Sequence, residues 1–70
     1  MVKLPHSTFE RILRESAKGI RVSDGAAQTL IAYIEEIAKS IGRDAAELAR
    51  HAGRKTITDA DVKLAIKRRD

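Results

Sequence analysis

Between Ser23 and Ala52 apolar residues return at the helical period: Leu30, Ile34, Ile37, Ile41, Ala45, Leu48 and Ala52 follow one another at steps of four and three. A second row, Ala27, Ile31, Ala38 and Ala49, runs beside the first, and together they make an apolar surface broader than a solvent-facing helix needs. A helix of about 27 residues is ~40 Å long. A compact chain of 70 residues has a radius of gyration near ~11 Å and a diameter near ~28 Å. The helix is longer than the globule its own chain makes, so both ends would protrude with Leu, Ile and Ala exposed. Apolar surface of that extent marks a partner. The expected arrangement is an obligate dimer in which two long helices cross, with Leu30, Ile34, Ile37 and Ile41 at its core. Gly42 lies mid-run, where glycine costs about 1 kcal/mol relative to alanine, and a bent or broken helix in a monomeric bundle is the alternative.

A chain of this size is expected to form one small domain, near the limit at which a single core suffices and oligomerisation is a common remedy. There is no cysteine, hence neither a disulfide framework nor a thiolate metal site. An apolar run of membrane-spanning length and a signal-peptide pattern are both absent, and a soluble intracellular protein is expected. With only Phe9 and Tyr33 as aromatic residues, base stacking is a poor way for this chain to hold single strands.

The net charge of +4 is unevenly placed. Residues 1–23 carry Lys3, Arg11, Arg14, Lys18 and Arg21 against Glu10 and Glu15, whereas residues 24–48 are net acidic and residues 49–70 are again basic. If both ends of the long helix lie on one face of a dimer, that face is a stripe for a polyanion. Charge alone fits a solvated surface equally well.

Flanking segments complete the pattern. Met1–His6 is expected to be extended, because the residue before a proline is pushed from the helical region. Ser7-Thr8-Phe9-Glu10 has the form of a capping box that opens a short helix over 8–17 with Phe9, Ile12 and Leu13 as its apolar face, ended by Lys18-Gly19. Ile20-Arg21-Val22 is a β-prone link, and Ser23-Asp24 caps the long helix over 24–52, which stops near Gly53. Arg54-Lys55-Thr56-Ile57 is a second link. Thr58-Asp59-Ala60-Asp61 opens a third helix over 59–68 with Val62, Leu64, Ala65 and Ile66 on its apolar side. The fold class is therefore all-α, short helix, long helix, short helix, and no tail is expected beyond the last helix.

Each link sets a hydroxyl, a β-branched residue and a base beside a helix end. If two long helices cross antiparallel, the first link of one chain lies beside the second link of the other, and Arg21-Val22 pairs with Thr56-Ile57. Arg21, Lys55, Thr56 and the free amides at the start of the long helix then converge. Amides at a helix N-terminus favour phosphate, and the added cations make a site for a nucleic-acid backbone.

The order of elements, the stretch Arg21-Val22-Ser23-Asp24, and above all Leu48-Ala49-Arg50-His51-Ala52-Gly53-Arg54-Lys55-Thr56-Ile57 followed by Asp61 and Leu64-Ala65-Ile66, resemble the archaeal histones over nearly the whole chain. The resemblance implies a histone fold that forms an intertwined head-to-tail dimer. Double-stranded DNA is then the partner, bound largely without sequence preference, with the homodimer growing into tetramers or larger nucleosome-like particles on the chromosome in the cytoplasm. It also implies pairing with paralogous histones, no cofactor and no membrane.

Residue by residue, Arg21 resembles the family's minor-groove arginine, steadied by Thr56 of the partner chain, in the manner familiar from nucleosomal histones. Val22, Ser23 and Asp24 resemble the amide contacts at the start of the long helix, and Lys55, Thr56, Ile57 and Thr58 those of the second link. Arg11 and Arg14 resemble the basic face of the first helix. Arg54 and Asp61 resemble a salt bridge that clamps the second link; as a bare surface ion pair it would contribute ~0 to 1 kcal/mol. Leu48, His51, Asp61 and Leu64 resemble the residues through which one dimer meets another, although His51 alone reads as a helix-terminal histidine. This chain departs from the family pattern in a first link one residue longer, in its opening His6-Ser7-Thr8, and in Thr58 where lysine is frequent.

A histone-fold subunit that pairs with another chain in a transcription or repair complex is the competing reading, and a histone that bends DNA without wrapping it is a variant of the first. An enzyme is not expected: there is no glycine-rich phosphate loop, the two histidines are far apart, and Ser7, Ser16, Ser23 and Ser40 have no partnered base at a useful spacing. No metal site is expected.

Overall fold

The computed structural model describes residues 5–69. Three helices account for its regular structure: α1 (His6–Ser16), α2 (Asp24–His51) and α3 (Asp59–Arg69). No strand occurs among the described residues. This is the short, long, short order of a histone fold. The extended opening expected of Met1–His6 lies, for residues 1–4, outside the described residues, while Pro5 is extended at φ −67° and ψ 111°.

The start of α1 differs from the sequence expectation of a capping box at Ser7 and Glu10 and a helix over 8–17. Instead α1 begins at His6, Pro5 stands at the cap position, and no side chain caps the helix. The proline ring sets φ near the helical value and its nitrogen carries no hydrogen that needs a partner, and the Thr8 amide donates to the Pro5 carbonyl at 3.2 Å. Ser7 and Glu10 therefore sit within the helix, where the Glu10 amide belongs to the His6 carbonyl four residues back and is closed to the Ser7 hydroxyl. At the other end the chain turns on Gly19 at φ 81°, with the Ile20 amide donating to the Ala17 carbonyl at 3.0 Å.

Ser23 starts α2 as its side-chain cap, the hydroxyl accepting from the Ala26 amide at 3.1 Å. The helix then runs for 28 residues without interruption. Gly42 does not break it, and a β-carbon added there would meet nothing within 4 Å. α2 ends in a paired set of reverse bonds: the Gly53 amide donates to the Arg50 carbonyl and the Arg54 amide to the Ala49 carbonyl, both at 2.9 Å. Gly53 holds φ 72°, the left-handed conformation that this ending requires.

The chain divides into two compact units, the division falling within α2 between Glu35 and Glu36. In the first, Ala27 is the fully covered apolar side chain among the described residues, and α1 buries none. In the second, Ala45 and Ala49, one turn apart on α2, are covered together with Ala65 on α3. The Arg69 guanidinium donates to the Ser40 hydroxyl at 2.9 Å, which shows α3 running back along α2.

Among the described residues no side chain larger than alanine is fully covered. Leu30, Ile34, Ile37 and Ile41 are half-buried, while Ile20 and Tyr33 are 66% and 64% exposed. A leucine or isoleucine contributes about 1.5–3 kcal/mol only when it is fully removed from water, and the single chain leaves that gain unmade. Folding is thus expected to depend on association. Thermal unfolding followed at increasing protein concentration should show a midpoint that rises about 4–5 °C per tenfold increase. A midpoint independent of concentration would mean that the single chain suffices.

Candidate nucleic-acid interface

The second link is built around one carboxylate. Asp61 is 5% exposed, and such a charge is tolerated only when its oxygens are satisfied. Its partners come from both sides of the link. Arg54 donates through Nη1 to Oδ2 at 2.7 Å and through Nη2 to Oδ1 at 2.9 Å, a two-pronged fit of guanidinium to carboxylate. The Thr58 amide donates to Oδ2 at 2.8 Å, and the Asp61 amide donates in return to the Thr58 hydroxyl at 3.4 Å. Thr58 and Asp61 are therefore a reciprocal cap on α3. Arg54 also donates to the Thr56 carbonyl at 3.1 Å, which draws the link into a closed ring from Arg54 to Asp61.

These bonds set the charge of Asp61. The Arg54 guanidinium first, and then the Thr58 amide, hold its carboxyl well below the usual carboxylate range. The same ring faces Lys55, Thr56 and Ile57 outward, all three exposed. Because the Thr58 amide is committed to Asp61, the main-chain donors left in the link are those of Lys55, Thr56 and Ile57, and Thr58 offers its hydroxyl proton instead. Beside the link an open concavity of about 350 Å³ is lined by Ala46, Ala49, Arg50, Arg54, Lys55 and Ile57. Arg50 joins Lys55 there; the sequence reading gives it no role of its own, and its position one turn before the Arg54 link is the signal that could have placed it.

In the first unit Arg21 is exposed and Val22 half-buried. The Ser23 hydroxyl engages the Ala26 amide, which leaves the amides of Asp24 and Gly25, like those of any first helical turn, for an outside acceptor. They stand at the positive end of the α2 dipole. On α1 Arg14 is exposed, and Arg11 pairs with Glu15 at 3.3 Å on the open surface. Solvent screens such a pair, so it is readily exchanged for another anion.

The four residues assigned to contacts between dimers are not all equally open. Leu48 and His51 line a second concavity of about 330 Å³ with Asp44, Glu47 and Arg68. Leu64 is 46% exposed, while Asp61 is buried within its ring. Asp44, Glu47 and Arg68 are not singled out by the sequence.

A family model described as histone-like transcription factor (CBF/NF-Y) and archaeal histone matches residues 2–66. The chain belongs to this family. It is 48% identical over 67 residues to a Thermococcus zilligii protein named as one subunit of the archaeal histone HAN1, in an alignment covering 96% of this chain and 98% of the relative. It is 42% identical, with the same coverage, to a probable archaeal histone 3 from Methanocaldococcus jannaschii. A mouse protein named as a histone is 36% identical over 64 residues, which cover 91% of this chain and 61% of the relative. This histone is accordingly a DNA-binding, chromosome-associated protein of a structural family whose members pair with histone chains. No helix among its described residues is long and apolar enough to cross a membrane.

The depressed carboxyl of Asp61 makes stability depend on pH in one direction. Its contribution is fully present above the unfolded value of about 3.9 and is lost as pH falls from there through the lower native value. Urea unfolding should show the histone losing stability steadily below about pH 4, and Asp61→Asn should be less stable at neutral pH with a shallower acid loss. Equal acid profiles for both proteins would remove Asp61 from that role.

Proposed function

We propose that homodimers of this histone compact and wrap double-stranded DNA with little regard to sequence, and that dimers join into tetramers or larger nucleosome-like particles. The observation that carries this reading is the pair of basic links, one at each end of α2, with an acidic stretch between them. In a crossed dimer each first link comes beside a partner's second link, and symmetry repeats the site.

Each part of the site then has a task. The Arg21 guanidinium enters the minor groove, with Thr56 of the neighbouring chain beside it. The amides at the start of α2, from Val22 to Asp24, hold one phosphate at the positive end of the helix. Lys55, the amides of Thr56 and Ile57 and the Thr58 hydroxyl hold another, and Arg11 and Arg14 extend the contact along α1. None of these groups reads a base edge, and preference among sequences comes from how readily the duplex bends. The core of the dimer is the row Leu30, Ile34, Ile37 and Ile41, and dimers meet through Leu48, His51, Asp61 and Leu64, the concavity at Asp44, Glu47 and Arg68 supplying charge of both signs around His51.

A second reading, pairing with a paralogous histone, is favoured by the name of the Thermococcus zilligii relative, which calls it one of the subunits of an assembly. The two readings share the same DNA-binding links and differ in the chain that completes the dimer.

Nuclease protection of duplex DNA over a range of histone concentrations tests the wrapping. A ladder of regularly spaced fragments is expected if dimers add to one another along wrapped DNA. One short protected length would mean that single dimers or tetramers act alone, and no protection at low salt would overturn the proposal. Arg21→Ala should leave the thermal midpoint unchanged, weaken DNA binding, and reduce the slope of log affinity against log salt by about 0.9 for each phosphate that is no longer neutralised. Parallel loss of folding and binding would show that Arg21 acts on the dimer instead.

A further inference from the structure

We propose that His6, Glu10 and Asp24 form a binding site for one divalent transition-metal ion per chain, with zinc as the reference ion. His6 and Glu10 are one turn apart on α1 and so project from one side of that helix; Asp24 opens α2. One donor atom from each of the three lies within 4.8 Å of the other two. His6 and Glu10 are half-buried and Asp24 is exposed, so the cluster is walled on the α1 side and open to solvent at α2.

The imidazole supplies an independent sign of a missing ligand. Its Nε2 is shut off from solvent and has no hydrogen-bond partner among the described residues. This nitrogen belongs to the same ring that joins Glu10 and Asp24, and a ring nitrogen held dry and unbonded lacks what it ordinarily has in a folded protein. A cation between the three groups satisfies all of them at once.

The chemistry of the donors narrows the ion. Ligands about 2.1 Å from a shared zinc stand ~3.4 Å apart in a tetrahedral site, so modest side-chain rotation closes this cluster onto one ion. Two carboxylates balance the charge of a divalent ion and the neutral imidazole completes a three-ligand set. Calcium and magnesium prefer oxygen ligands throughout, whereas an imidazole favours zinc, cobalt or nickel. The fourth position falls on the open side and is filled by water. Bound there, the ion would tie the start of α1 to the start of α2, two points that lack any side-chain bond between them among the described residues.

The test uses the metal-free full-length histone without DNA. Calorimetric titration with zinc, and cobalt absorption as a second readout, should show one ion per chain and a thermal midpoint raised by zinc. His6→Gln should abolish both, and Glu10→Gln should weaken binding by at least ~10-fold. His51→Gln, which alters the other histidine of the chain, should leave binding intact. Binding that survives His6→Gln, binding lost in His51→Gln, or an absence of binding in the parent would each overturn the site. Should His6→Gln fail to fold, cobalt added to the isotopically labelled parent decides the matter. Resonances from His6 to Glu10 and at Asp24 should shift or broaden first, and effects confined to His51 would refute the assignment.

Discussion

A helix of 28 residues cannot be covered by two helices of 11. That mismatch governs the molecule. α2 carries two adjacent apolar rows along most of its length, and in the single chain only Ala27, Ala45 and Ala49 of it are withdrawn from water. The larger side chains on the same rows, Leu30, Ile34, Ile37 and Ile41, stay half-covered. Where α3 lies along α2, alanine at Ala45, Ala49 and Ala65 lets the helices approach closely. Association is thus written into the length of one element before any particular contact is considered, and the short helices serve chiefly to shape the two ends.

The order and type of all three helices are legible from periodicity, because α2 is long enough for its apolar repeat to be unambiguous and because Ser23, Gly19 and Gly53 punctuate its surroundings. Ser23 caps α2 and Gly53 takes the left-handed conformation for reasons that are local to each residue. The start of α1 is not, because two local signals compete: Ser7 and Glu10 have the spacing of a capping box, but Pro5 two residues earlier is itself suited to a helix start. In the candidate interface the outward position of Lys55 and Thr56 follows from the link composition. The ring that holds them there does not, since Arg54 and Asp61 are seven residues apart and no helical or strand repeat connects that spacing; family resemblance alone points to it. The proximity of Asp24 to His6 and Glu10 is invisible for a like reason, as it depends on how the chain turns at Gly19.

Charge follows the same architecture. The bases concentrate at the links and on the short helices, and the acids in the middle of α2, so that in the proposed dimer the duplex and the helix crossing occupy separate territories. Several acids nevertheless lie among those bases or at their edge, Asp61 in the ring of the second link and Asp24 at the start of α2 among them. The Asp61 carboxylate is balanced by the Arg54 guanidinium and accepts a further bond from the Thr58 amide. Asp24 has no such partner among the described residues, and it lies next to helix amides that attract anions. That placement favours its negative charge, which the amides and the dipole at the start of α2 stabilise.

The closed ring of the second link also separates the two links in kind. Arg54, Thr56, Thr58 and Asp61 fix one another through five hydrogen bonds, and the reverse bonds at Gly53 fix where the ring begins. The first link is held by the turn at Gly19 and the Ser23 cap, and between them the Arg21 side chain makes no hydrogen bond or ion pair among the described residues. If the two come together against a phosphate backbone as in the proposed dimer, one half would arrive already shaped and lose little conformational freedom, while the other would order as it binds. A rigid edge beside an adaptable one would let the proposed dimer follow duplexes whose groove width changes from step to step.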